Sequence, residues 1–165
     1  MMNKVLCSLL LFLSISCGLQ GRNANYARDS KRIWLDSKEI HHGEYVWKMK
    51  KAGDVISSAE KVSTLGYDTS DWLSAIVPGT VLNSLVYNKE YPEPYYGVNN
   101  KLESGKIPDI SKVGREFYTY WFRTEFDVPE SFAGKTIWLQ PDGVNYRAEI
   151  WVNGNLLSTL NGMFI

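Results

Sequence analysis

Apolar and polar residues alternate through several stretches of this chain, the pattern of a strand with one buried face. In EYVWKMK, Tyr45, Trp47 and Met49 alternate with Glu44, Val46, Lys48 and Lys50. The longest run is FYTYWFRTEFDV. There Tyr118, Tyr120, Phe122, Phe126 and Val128 share a face that the pattern assigns to the core, and Thr119, Trp121, Arg123, Glu125 and Asp127 share one that it leaves mostly solvated. KTIWLQ sets Ile137 and Leu139 on one side of a further predicted strand, with Leu139 as a core position. YRAEIWVNGNLL alternates Tyr146, Ala148, Ile150 and Val152 with Arg147, Glu149 and Trp151, then runs into Asn153-Gly154. Asn-Gly between strand-like runs predicts a hairpin over Arg147 to Leu157, because a two-residue type I′ turn needs positive φ at both positions.

One segment has helical spacing. In PGTVLNSLVYNK, Thr80 is placed to cap a short helix whose Val81, Leu82, Leu85 and Val86 fall on one face. The stretch before it, to Asp71, is loop-like and punctuated by Gly53 and Gly66. Strands joined by turns, with a peripheral helix lying on them, predict an all-β sandwich.

The two ends differ from this middle. Lys4, the apolar run VLCSLLLFLSIS from Val5 to Ser16, and the small residues Cys17 and Gly18 make an export leader over 1–17, too short to span a bilayer. Cys17 after LSIS resembles a bacterial lipoprotein cleavage site, with Ser14 where a leucine is usual, so lipidation at Cys17 and simple cleavage both fit. The expected location is the periplasm or, through a lipid anchor that is the only membrane contact foreseen, the bacterial cell envelope. Residues 18–30 are polar and patternless, a tether, and 31–165 form the domain. NGMFI stops at Ile165 within an apolar stretch, which predicts a sandwich cut short at its C-terminus, with strands and later domains of the same polypeptide lying beyond.

Composition narrows the function. A chain of 165 residues with 44% hydrophobic and 22% charged residues suits one globular domain. Its 18 Lys and Arg balance 18 Asp and Glu without a basic cluster, so no nucleic-acid partner is expected. Cys7 and Cys17 both fall in the leader, leaving no disulfide for the mature chain. His41 and His42 are adjacent and on a strand would face opposite ways, so they read as a solvated pair and not as metal ligands. The sequence holds no GxSxG elbow, no glycine-rich phosphate loop and no carboxylate pair recognisable by spacing. No catalytic residue, metal or cofactor is assigned to it.

YPEPYYGVNN, from Tyr91 to Asn100, is a different kind of segment. Two prolines stiffen it and Gly97 permits positive φ, while three tyrosines and two asparagines supply aromatic faces beside amides. Sugars present C–H faces to aromatic rings and hydroxyls to such amides, which makes a glycan surface one reading. Packing of the loop against its own domain is the other.

DWLSAIVPGTVLNSLVYNKEYPEPYYGVNN, GREFYTYWFRTEF, GVNYRAEIWVNGNLL and GMF, in that order, resemble the N-terminal sugar-binding domain of family 2 glycoside hydrolases. The likeness runs from about Tyr45 to Phe164 and is strongest to the branch holding β-mannosidases, exo-β-glucosaminidases and glycoprotein endo-β-mannosidases. It implies a jelly-roll sandwich similar to galactose-binding domains, followed by an immunoglobulin-like domain and a barrel that carries both catalytic glutamates, one in an Asn-Glu pair. This sequence has no Asn-Glu dipeptide. The resemblance further implies that Asn99 or Asn100 hydrogen-bonds sugar hydroxyls at the barrel mouth, with Tyr95 or Tyr96 shaping the wall. Relatives often carry an acidic residue beside the asparagine, where this chain has Asn-Asn-Lys. The expected role is thus the glycan-facing domain of an exported retaining exo-glycosidase acting on terminal β-linked mannose or glucosamine-type residues. A stand-alone glycan-binding module and a purely structural packing domain are the rival readings.

Overall fold

The computed structural model describes residues 3–12, 32–40, 43–114 and 116–162. Cys17, the tether at 18–30, His41 and His42 lie outside them. Among the described residues one sheet contains six strands: β1 (Asn3–Phe12), β2 (Trp47–Lys51), β3 (Leu73–Ser74), β4 (Thr119–Val128), β5 (Arg147–Val152) and β6 (Asn155–Asn161). Their order across the sheet is β3-β2-β4-β1-β5-β6. All five pairings are antiparallel. Three short α-helices accompany it: α1 (Ala59–Val62), α2 (Val81–Tyr87) and α3 (Ile110–Val113). The all-β class is as the pattern predicts, and α2 is the peripheral helix it foresaw. Among the described residues the layers on the sheet are helices and loops, and no second sheet forms. No helix there is long and apolar enough to cross a membrane.

α2 closes one face. Thr80 Oγ1 accepts the Asn83 amide at 3.0 Å, the cap its position predicted. At the other end Asn88 Nδ2 donates to Ser84 O and to Ser74 O, at 2.6 and 2.7 Å, so one side chain closes the helix and ties it to β3. Beneath α2 lie Trp47, Met49, Tyr118, Tyr120 and Phe122, packed with Val81 and Leu85. The core face expected of β4 is there.

The opposite face of β4 is not solvated as expected. Trp121 and Arg123 are 6% and 5% exposed, and only Glu125 and Asp127 beyond them reach water. The stretch to Asp71, read as loop, contains α1 and folds over this face, where Val62 and Trp72 pack with Trp121 and Trp151. Periodicity within a strand carries no record of what a distant segment lays across it.

The hairpin forms as its turn chemistry dictates: Asn153 and Gly154 both have positive φ, 49° and 82°. KTIWLQ does not form a strand. Leu139, expected in the core, is 39% exposed and its neighbour Trp138 is 87% exposed. A strand needs a ladder partner, and β4 and β5 already have strands on both sides. Asn3–Phe12, which lies within the expected leader and holds Val5–Phe12 of its apolar run, is in this chain the strand between β4 and β5.

Candidate functional site

The Tyr91–Asn100 loop leaves the end of α2 and is rooted on the α2 face, where Tyr91 packs against the core. Its backbone is a succession of turns: the Tyr96 amide donates to Glu93 O at 3.2 Å, the Asn99 amide to Tyr96 O at 3.2 Å, and the Lys101 amide to Val98 O at 3.0 Å. Gly97 takes φ 58°, which its missing Cβ allows.

Asn99 holds these turns together. Its side chain is buried; Nδ2 donates to Glu93 O at 2.9 Å, while Oδ1 accepts Lys106 Nζ at 3.0 Å. Ser104 Oγ donates back toward Asn99 O and Lys101 O, at 3.2 and 2.7 Å. One amide therefore joins the start of the loop to its exit. The neighbouring residues point outward: Tyr95 and Tyr96 are 86% and 77% exposed, and Asn100 is exposed. Of the four residues singled out from sequence, three form an outer surface and Asn99 lies under it as its brace. An exposed tyrosine pair beside a free-facing amide is suited to stacking against a sugar ring and hydrogen-bonding its hydroxyls. The loop's Glu93 carboxylate accepts the Tyr95 amide at 3.4 Å.

Under the loop the phenols of Tyr91, Tyr118 and Tyr120 share a poorly hydrated region. Burial is the first cause in each case, and it raises all three above the ordinary tyrosine value, Tyr120 to about 12, with the proximity of Tyr91 adding to the shift at Tyr118 and Tyr120. They stay protonated at neutral pH. The loop stands on an uncharged, packed base.

The α1 face carries a second concavity, an open groove of about 430 Å³ lined by Lys48, Tyr67, Asp68, Ser70, Arg123 and Glu125 among others. Its Arg123 is structural. Nε donates to Val62 O at 3.0 Å and Nη2 to Thr64 O at 2.8 Å, with a close ion pair to Glu125, whose Oε1 also accepts the Gly66 amide at 2.8 Å. Sequence reasoning placed Arg123 in water. The signal that could have found it is Trp121 two residues earlier on the same face, a large apolar group that a solvated face seldom carries. Among the described residues no cluster of His, Cys, Asp and Glu could hold a metal ion.

Residues 47–165 match the family described as the glycosyl hydrolase 2 galactose-binding domain-like domains. Among curated proteins, a mannosylglycoprotein endo-beta-mannosidase of Lilium longiflorum is 41% identical over 96 residues, 58% of this chain and 10% of the lily protein. Beta-mannosidase B of Aspergillus terreus is 31% identical, covering 72% of this chain and 12% of its own length. An exo-beta-D-glucosaminidase of Amycolatopsis orientalis is 28% identical, covering 66% and 10%. This chain thus spans about a tenth of the length of the curated relatives it matches. No solved structure gives a significant match.

Proposed function

This chain belongs to the galactose-binding-like N-terminal domain family of the family 2 glycosyl hydrolases, and from that premise we propose that it is the glycan-facing domain of an exported retaining exo-glycosidase that removes terminal β-linked mannose or glucosamine-type residues. The bond-breaking carboxylates are supplied by the rest of the polypeptide, which in the matched relatives is about nine times longer than the matched portion. A covalent glycosyl-enzyme intermediate on that part accounts for retention. Export through the 1–17 leader, with lipidation at Cys17 as its anchored form, belongs to the same proposal.

The observation that carries it is the division of labour in one loop: Tyr95, Tyr96 and Asn100 are exposed while Asn99 fixes the turns beneath them. Tyr91, by contrast, is partly buried against the core and anchors the loop to its own domain. Exposed rings on a braced loop lose little further freedom when a ligand is bound, which favours recognition.

The test uses the longer polypeptide acting on aryl β-mannosides and β-glucosaminides. Asn100→Ala removes a hydrogen bond worth roughly 1 to 3 kcal/mol, about tenfold to a hundredfold in kcat/KM. A contact strengthened in the transition state lowers kcat, and a uniform contact raises KM. Wild-type kinetics on both substrates in Asn100→Ala and in Tyr95→Ala/Tyr96→Ala would leave the loop a scaffold and overturn the reading.

A further inference from the structure

The sheet is continuous only because an apolar decapeptide sits at its middle. All ten residues of β1 pair with β4, from Asn3 opposite Val128 to Phe12 opposite Thr119. Six of them pair with β5, from Cys7 opposite Val152 to Phe12 opposite Arg147. Among the described residues the β5–β6 hairpin is strand-paired to the rest of the sheet through β1. Yet these residues fall within the segment whose sequence reads as an export leader.

A separate set of contacts holds β4 and β5 apart at the width of the intervening strand, two strand spacings of about 4.8 Å each. Trp121 of β4 and Trp151 of β5 belong to one buried cluster with Val62 and Trp72. Arg123 of β4 grips Val62 O and Thr64 O at 3.0 and 2.8 Å, and the Gly154 amide of the β5–β6 turn donates to Ser63 O at 3.0 Å. Three consecutive residues at the end of α1 are thus fastened to both walls, forming a brace across the gap.

We propose that β4 and β5 frame a strand-accepting slot which, once Asn3–Phe12 has left it, binds an extended apolar peptide antiparallel to both walls. Withdrawal of β1 leaves rows of backbone N–H and C=O groups on two facing edges, and an incoming strand satisfies both rows at once. The slot selects an apolar strand of about β1's length, since its rows run beside Tyr120, Phe122, Ala148 and Ile150, which are buried on their own strands. Leader removal during export would be the event that exchanges one occupant for another. The proposal does not depend on the loop's role in sugar binding.

The first experiment follows backbone hydrogen exchange in the full chain and in its Leu9→Pro variant, in which proline removes a donor from the middle of β1. Exchange at 119–128 and 147–152 is expected to rise by about tenfold or more, with 81–87 unchanged. Adding a synthetic peptide of sequence NKVLCSLLLF in excess should restore slow exchange. Equal exchange in both chains, or a variant that the peptide does not protect, overturns the slot. Should Leu9→Pro also expose 81–87, as in global unfolding, a second measurement decides. A chain that keeps the native β1 and carries a protease site introduced within 13–31 is folded, cut at that site and mixed with fluorescently labelled peptide. A rise in anisotropy as the label replaces the cut segment supports the proposal, and a label that stays free refutes it.

Discussion

Asn99 and Asn100 are adjacent in the chain and differ in what they touch. Asn99→Ala strands Lys106 Nζ and Glu93 O, its two partners at 3.0 and 2.9 Å, and should cost roughly 1 to 2 kcal/mol while speeding hydrogen exchange across 93–106. Asn100→Ala, on the exposed side, should leave the urea midpoint within about 0.5 kcal/mol of wild type. Arg123→Met removes the fork that holds Val62 O and Thr64 O and takes its ion pair from Glu125, a loss of about 2 to 4 kcal/mol. Arg123→Lys should recover little of this, because an ammonium cannot reproduce the planar fork; urea midpoints decide both. Tyr120 gives a pH signature. Burial raises its phenol from 10.0 to about 12, so the folded chain holds that proton more tightly than the unfolded chain. Its contribution is fully present below pH 10 and is lost as pH rises through about 12. Tyr120→Phe should flatten the fall in thermal midpoint over that window, and an unchanged fall would refute the linkage.

The hairpin and the short helix are elements whose residues state their own geometry. Gly154 has φ 82°, and a Cβ there would meet Glu60 O at 3.5 Å, an ordinary contact, so Gly154→Ala is charged only for its left-handed backbone. The expected loss is about 1 to 2 kcal/mol in the urea midpoint. Thr80→Ala, which removes the acceptor for the Asn83 amide, should lose about 1 kcal/mol. Both elements were legible because turn and cap chemistry depend on neighbours one to four residues away. KTIWLQ carries the same alternation as β4 and forms no strand, since alternation prepares a segment for pairing without providing the partner. The buried face of Trp121 and Arg123 was illegible for a related reason: its cover comes from residues about sixty positions earlier in the chain.

At the scale of the whole molecule, a sheet packed between α1 and α2 carries the Tyr91–Asn100 loop with its exposed tyrosine pair. That loop directs its carboxylate, Glu93, to the Tyr95 amide at 3.4 Å and so gives no acid and nucleophile pair. The chain by itself should therefore turn over neither an aryl β-mannoside nor an aryl β-glucosaminide. Release of the aryl group above a buffer blank, in a preparation free of host glycosidase, would contradict this.

Strands β2 and β4, the Asn153-Gly154 hairpin, the capped α2 and the stiff, tyrosine-rich loop are all written in the local order of residues. Each of these follows from short-range physics: the two-residue period of a strand, the φ demanded by a turn, the orphan amides of a helix start. Long-range packing set the rest: Asn99 braces the loop while Asn100 faces outward, Arg123 is buried, KTIWLQ forms no strand and Asn3–Phe12 lies between β4 and β5. Burial and strand pairing depend on which distant segment arrives alongside, and no local period encodes that choice.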